Sequence, residues 1–259
     1  MKQNNMKCKI FLSVMVTCFS VFSIAQENTA SNVGFRIFTK VNRPDPKLVE
    51  GFHNIPVANI ADMMNRTKVM DARIKKINKN NLLGPAFTVK VRSDDNLMAH
   101  KAISMAQPGD IIVIDAEGKL DNAIIGEQMV RTAIQRKLGG IVVDGAVRDS
   151  DYLAKQTDIP VYAAGITPAG PYKDGPGEIN TPISVGGVVV RPGDILVGDD
   201  DGVVVIEPQS AQYVLEQSMK KNAGEAKLIE QITNGSRDYS WIDKALKEKS
   251  VQIIDDVYK

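Results

Sequence analysis

The chain has 259 residues, 43% of them apolar and 24% charged, with a formal net charge of +1. Those values exclude a collagen-like fibre, a disordered tail and a polytopic membrane protein. They also conceal a local bias: residues 1–25 hold Lys2, Lys7 and Lys9, no acidic residue, and an apolar run from Ile10 to Ile24.

That run is too short to cross a bilayer comfortably as a helix. A basic start, an apolar stretch and the small residues Ser23 and Ala25 predict a secretory signal peptide over 1–25, with an exported, periplasmic product. Cleavage leaves 234 residues carrying 29 basic and 31 acidic side chains, a net charge of −2. No basic excess remains for nucleic acid, and no membrane association is expected after cleavage. Cys8 and Cys18 leave with the signal, so neither a disulfide nor a thiol nucleophile is expected. Lipid attachment would need Cys18, but Val16 and Thr17 suit it poorly.

Residues 26–54 read as a polar N-terminal arm containing Pro44. Pro56 suits a first helical turn, and Val57, Ile60, Ala61 and Met64 follow at helical spacing. Gly84-Pro85 breaks the chain before Ala86 to Arg92, where alternation predicts a half-buried strand with Lys90 towards solvent. A helix from about Asn96 to Ala106 ends at Pro108-Gly109, a strand follows over Ile111–Ile114, and a helix is predicted from Asn122 to Leu138. Strands at Ile141–Val143 and Val161–Ile166, with a short helix at Asp151–Gln156, complete an α/β alternation with parallel strands.

Beyond Thr167 the pattern turns to short strands at Ile183–Val185, Val188–Val190, Ile195–Val197 and Val203–Ile206, with Asp201-Gly202 as a hairpin signal. The strings Pro108-Gly109-Asp110-Ile111-Ile112-Val113 and Pro192-Gly193-Asp194-Ile195-Leu196-Val197 predict one turn-into-strand device used twice in a compact β/β/α core. The tail from Ser210 is helical and charged, and Trp241 sits in a second helical stretch beyond Asn234-Gly235. One core domain is expected over 55–222, with a helical C-terminal extension over 223–259.

The chain lacks a phosphate-binding loop, a dinucleotide-type glycine motif and a serine elbow. With only His53 and His100, an imidazole or thiolate zinc site is unexpected, which leaves oxygen ligands and favours Mg²⁺ or Mn²⁺. Val143-Asp144-Gly145-Ala146-Val147-Arg148-Asp149 ends a buried strand in an adjacent cation and carboxylate, where α/β sheets place their sites. Arg148 can fork onto a substrate carboxylate while Asp149 holds a divalent ion; the plainer alternative is that both pair with surface charges. Gly126-Glu127-Gln128-Met129 opens a helix whose amides at Gln128 and Met129 suit a carboxylate, with Glu127 towards a hydrated metal or simply favouring the helix dipole. Asp199, Asp200 and Asp201 are better explained by the hairpin turn, Lys90 by solvent exposure, and His100 by packing or exposure, than by chemistry.

In chain order, Gly84-Pro85-Ala86-Phe87-Thr88-Val89, Asp95-Asn96-Leu97, Pro108-Gly109-Asp110, Gly126-Glu127, Asp144-Gly145-Ala146-Val147-Arg148-Asp149, Pro176-Gly177-Glu178-Ile179-Asn180, Pro192-Gly193-Asp194 and Asp201-Gly202-Val203 resemble the RraA-like family over residues 55–230. That family includes the regulator of ribonuclease activity A and the class II 4-hydroxy-4-methyl-2-oxoglutarate/4-carboxy-4-hydroxy-2-oxoadipate aldolases. The resemblance implies a β/β/α swivelling-type core in homotrimers or hexamers, with sites between adjacent subunits. It assigns Asp149 to Mg²⁺ or Mn²⁺, Arg148 to the pyruvate carboxylate and enolate oxygen, and Glu127, where the aldolases usually carry Asp, to metal-bound water. It further implies substrate contact by the amides of Gln128 and Met129, a role for Lys173 ahead of the Pro-Gly motif, and Glu225 reaching metal-bound water from a neighbouring subunit. The expected function is a metal-dependent lyase that cleaves or decarboxylates small 2-oxo acids through a pyruvate enolate. The alternative is a non-catalytic regulatory or binding protein.

Overall fold

The computed structural model describes residues 32–258; the predicted signal peptide and the first residues of the arm lie outside them. The elements begin with β1 (Phe35–Ile37), α1 (Pro46–Glu50), α2 (Val57–Met63), β2 (Lys75–Lys76), β3 (Leu82–Val91), α3 (Leu97–Met105) and β4 (Ile111–Asp115). Then come β5 (Ala123–Ile125), α4 (Glu127–Gln135), β6 (Gly140–Val147), α5 (Ser150–Leu153), β7 (Val161–Ile166) and β8 (Gly177–Ile179). The chain closes with β9 (Ile183–Val185), β10 (Val188–Val190), β11 (Ile195–Gly198), β12 (Val203–Ile206), α6 (Pro208–Thr233) and α7 (Ser240–Glu248).

Strands β3, β4, β6 and β7 run parallel at the centre of a sheet ordered β1-β8-β3-β4-β6-β7-β2. Both faces are covered, which is why β4 and β6 open on the continuous apolar runs Ile111–Ile114 and Ile141–Val143. In β4, Ile112 and Ile114 join a core with Ala99, Ile103, Met129 and Val130, while Ile111 and Val113 face a second core with Val185 and Val190 of the β9–β10 hairpin. A third core packs Phe52, Ile60, Ala211 and Val214 against Ile195, Val204 and Ile206. Only the first half of α6 contributes buried residues, and α7 contributes none.

The repeated turn is the same down to its atoms. The Asp110 carboxylate accepts the Gln107 N–H at 2.7 Å and the Asp194 carboxylate the Arg191 N–H at 2.8 Å, with Gly109 and Gly193 at φ +86° and +89°. Both turns feed β3: β11 pairs its first half and β4 its second.

Several local expectations need correction. Strand β3 begins at Leu82, so Gly84-Pro85 lies inside it: Pro85 stands where the strand exchanges β11 for β4, a place that tolerates a missing donor. The helix expected from Asn122 begins only at Glu127, because Ala123–Ile125 is drawn into pairing with the end of β6. The arm supplies β1, paired with β8, and Arg43, forked onto Asp110 at 2.7 and 2.6 Å. Lys90 is not simply solvent-facing: it lies in register beside Asp115, bonds to it at 3.0 Å and reaches Glu117 at 3.2 Å. Next in that row, Asp144 takes a fork from Arg73 and the Gly186 N–H. The expected boundary at 222/223 falls inside α6.

Asp95 anchors the segment before β8. Burial alone would raise its pKa, but the N–H groups of Leu97 (2.8 Å), Asp174 (2.5 Å) and Gly175 (2.9 Å) and the charge of Arg92 hold it below its ordinary 3.8. A depressed folded-state pKa means that this stabilisation is complete above the unfolded value and is lost as pH falls through the folded one. Urea melts between about pH 2.5 and 7 should therefore show an acid limb that Asp95→Asn flattens. At neutral pH that variant should cost about 2–3 kcal/mol, since its amide turns a donor towards donors.

Candidate active site

The site forms where β6 ends. Asp149 takes the left-handed conformation, φ 57° and ψ 39°, which Asp adopts more readily than most side chains, and this turns its carboxylate back towards the preceding helix. Strand β5 lies beside the end of β6, the Arg148 N–H donates to the Ile125 carbonyl at 2.9 Å, and Gly126-Glu127 is delivered against Arg148-Asp149. The Glu127 N–H then donates to Asp149 Oδ2 at 2.9 Å, and Arg148 Nε stands 3.8 Å from the same oxygen. A Cβ on Gly126 would lie 2.6 Å from Asp149 Oδ2 and 3.0 Å from Arg148 Cγ, so the close approach requires glycine.

Ser150, Asp151, Tyr152, Ile166, Thr167 and Pro168 complete an open cleft of about 510 Å³. Gly170 comes close to the Arg148 guanidinium and its carbonyl accepts the Asn122 amide at 2.6 Å, which ties the far wall to β5. A larger cavity, about 660 Å³, lies at the opposite end of the strands beside Phe52, Gly84 and Gly109. Its Arg43 is already neutralised by Asp110, so the smaller cleft is the better place for chemistry.

Arg148, Asp149 and Glu127 are thus brought together from residues 22 positions apart. Met129 commits its N–H to the Gly126 carbonyl at 3.1 Å and buries its side chain beside Asn96, which leaves the Gln128 amide of the pair read as an anion cradle. Lys173 does not line the cleft: it lies in the loop held by Asp95, and His100 has its pKa lowered first by burial and then by the charge of Lys173. Glu225 sits on α6 and pairs with Lys221 at 2.9 Å, which holds its carboxyl below the usual range. Asp199 is a hairpin residue, accepting the N–H groups of Val57 and Asp201.

Two residues of this site escaped the sequence reading. Arg131 Nε and Nη2 both reach Glu127 Oε1 at 2.7 Å, and its guanidinium stacks over the Tyr152 ring, 4.4 Å from the centroid. The i,i+4 spacing of Glu127 and Arg131 was the available signal. Among the described residues no three His, Cys, Asp or Glu side chains gather as a metal cage. Asp149 and Glu127, both partly exposed on an open cleft, nevertheless fit Mg²⁺ or Mn²⁺: hard ions that keep several waters are commonly held through one or two carboxylates.

The sequence pattern of the RraA-like family, described as Aldolase/RraA, matches residues 57–205, which include this whole cleft. The chain belongs to the RraA-like family. A relative from Halalkalibacterium halodurans, named "Putative 4-hydroxy-4-methyl-2-oxoglutarate aldolase", is 44% identical over 173 residues, covering 66% of this chain and 82% of its own. A Bacillus cereus protein of the same name is 36% identical over 129 residues, covering 50% of this chain and 80% of its own. Among solved structures, Streptomyces coelicolor RraAS2, described as an unusual member of the RNase ES inhibitor RraA protein family, matches at TM-score 0.65 and 28% identity. That match covers 72% of this chain and 98% of RraAS2. The mixed α/β core with a C-terminal helix is therefore the RraA fold.

Proposed function

We propose that this RraA-like protein is a divalent-metal-dependent lyase that releases pyruvate from small 2-oxo acids. The observation that carries the reading is the convergence of Arg148, Asp149 and Glu127 on one open cleft. Arg148 binds the substrate carboxylate and stands beside the oxygen that gains charge as the C–C bond breaks, so its fork stabilises the developing enolate. Asp149 would hold Mg²⁺ or Mn²⁺, with Glu127 reaching the ion through its bound water, and a bound ion of this kind supplies further positive charge to a reacting ketone oxygen. The same enolate arises by aldol cleavage or by loss of CO₂ from oxaloacetate. Support for a lyase comes from the names of the two relatives. Within this reading the Gln128 amide contacts the substrate, Lys173 assists from the loop before β8, and a neighbouring subunit of a homotrimer or hexamer supplies Glu225. Export to the periplasm belongs to the same proposal.

Purified protein should release pyruvate from oxaloacetate or a 4-hydroxy-2-oxo acid in a coupled assay, lose that activity with chelator and regain it with Mg²⁺. Asp149→Ala should lower the rate by about 10²-fold or more. Absence of metal-dependent turnover on every such acid would refute the lyase. The likeness to RraAS2 favours a second reading, a non-catalytic inhibitor or binding protein, for which a captured protein partner and no turnover would speak.

A further inference from the structure

We infer that Arg131, held on the ring of Tyr152, determines specificity by receiving the second carboxylate of a dicarboxylic 2-oxo acid; the assignment of substrate ends rests on the lyase reading above. Two guanidiniums stand at the ends of a short row of charges. Arg148 is 3.8 Å from Asp149, Asp149 accepts the Glu127 N–H at 2.9 Å, and Glu127 is 2.7 Å from Arg131. Glu127 joins the two arginines through both its groups: its backbone N–H meets Asp149 beside Arg148, and its carboxylate meets Arg131. A ligand whose 2-oxo acid end lies on Arg148 and which extends past Glu127 along the first turn of α4 is directed towards Arg131, held beside the cleft by Glu127 and by the cleft residue Tyr152.

The geometry suits exchange of one anion for another. The Arg131–Glu127 pair is exposed, with side chains 61% and 37% accessible, and such pairs contribute little to stability. Both donors of Arg131 crowd one oxygen, Oε1, so the bond with Glu127 does not use Nη1 or Oε2. An i,i+4 pair needs no aromatic support, yet Tyr152, itself a wall of the cleft, presents its face to this guanidinium. Stacking fixes the plane of an arginine whose fork is then ready for a carboxylate. Tyr152 is a positioning residue in this scheme: its ring acts and its hydroxyl does not.

Calorimetric binding of two unreactive acids in the presence of Mg²⁺ tests the inference: 2-oxoglutarate, which has the distal carboxylate, and 2-oxopentanoate, which lacks it. The wild-type protein should prefer 2-oxoglutarate by about 5-fold, the effect of one favourable exposed ion pair. Arg131→Gln should erase the preference by weakening 2-oxoglutarate alone, and Arg131→Lys should keep part of it. Tyr152→Phe should retain the preference and Tyr152→Ala should reduce it. No preference in the wild type, an undiminished preference in Arg131→Gln, or equal weakening of both acids would overturn the inference. Arg131-dependent preference without pyruvate release from any oxo acid would defeat the lyase while leaving this role intact. Turnover without preference would do the reverse.

Discussion

Gly126→Ala is expected to lower turnover by about 10²-fold or more while changing folding stability by no more than about 1 kcal/mol. Its backbone, at φ −144° and ψ −174°, is extended and open to any residue, so no strain arises there. The added methyl would instead meet Asp149 Oδ2 at 2.6 Å, Arg148 Cγ at 3.0 Å and Arg148 Nε at 3.1 Å. Those atoms belong to partly exposed side chains that can move aside at small cost. Moving them pulls the carboxylate off the Glu127 N–H and separates the groups that must act together. A displacement of about 1 Å at such a site is enough for a loss of this size. Pyruvate release and urea denaturation, measured on the same preparation, check both halves; a normal rate would show that the packing of these three residues is not what catalysis needs.

The same substitution at the other end of the sheet should do the opposite. In Gly139→Ala the new Cβ would lie 2.3 Å from the Gly109 carbonyl oxygen and 3.0 Å from its carbon. Here the obstacle is backbone, locked by the bonds from Gly109 N–H to Lys137 and from Gly139 N–H to Asp110, both 2.8 Å. It cannot rotate away, so the starts of β4 and β6 must separate. A cost of about 3 kcal/mol is expected, at the upper end of overpacking effects, with Tm lowered by about 6–12 °C. Activity per folded molecule should stay near wild type, since Arg148 and Asp149 lie at the far end of β6. Thermal melts together with rates at low temperature measure the two separately.

These two glycines also mark how far the sequence could be read. Gly126 and the Arg148-Asp149 pair were recognisable because each sits at a junction of element types, where glycine and paired charges stand out from apolar runs. In the structure Glu127, next to Gly126, lines one cleft with Arg148 and Asp149. Arg131 and Tyr152 do not stand out in the sequence, because helical spacing shows that Glu127 and Arg131 share a face but not what that face looks at. The resemblance assigns Lys173 as the lysine ahead of the Pro-Gly motif; in the structure it lies in the loop that Asp95 holds through the Asp174 and Gly175 N–H groups, and it does not line the cleft. The resemblance assigns Glu225 by approximate spacing alone, and within the chain it pairs with Lys221.

The fold divides in the same way. Strands β4, β7, β9, β10, β11 and β12 were legible from apolar runs and turn residues alone, since burial of both faces or a tight hairpin writes itself into neighbouring residues. The first half of β3, and β5 and β8, were not. Leu82–Pro85 becomes strand because β11, more than a hundred residues on, lies against it, and Ala123–Ile125 because the end of β6 does. The composition and apolar pattern by themselves determined an α/β core of parallel strands and singled out arginine and carboxylate oxygens, at Arg148, Asp149 and Glu127, as the candidate chemistry. Only the tertiary structure decided which carboxylate accepts which amide and which arginine faces the cleft. Burial is imposed residue by residue and leaves a local trace, whereas the meeting of two charged side chains depends on strand register across the sheet, which no short stretch of sequence contains.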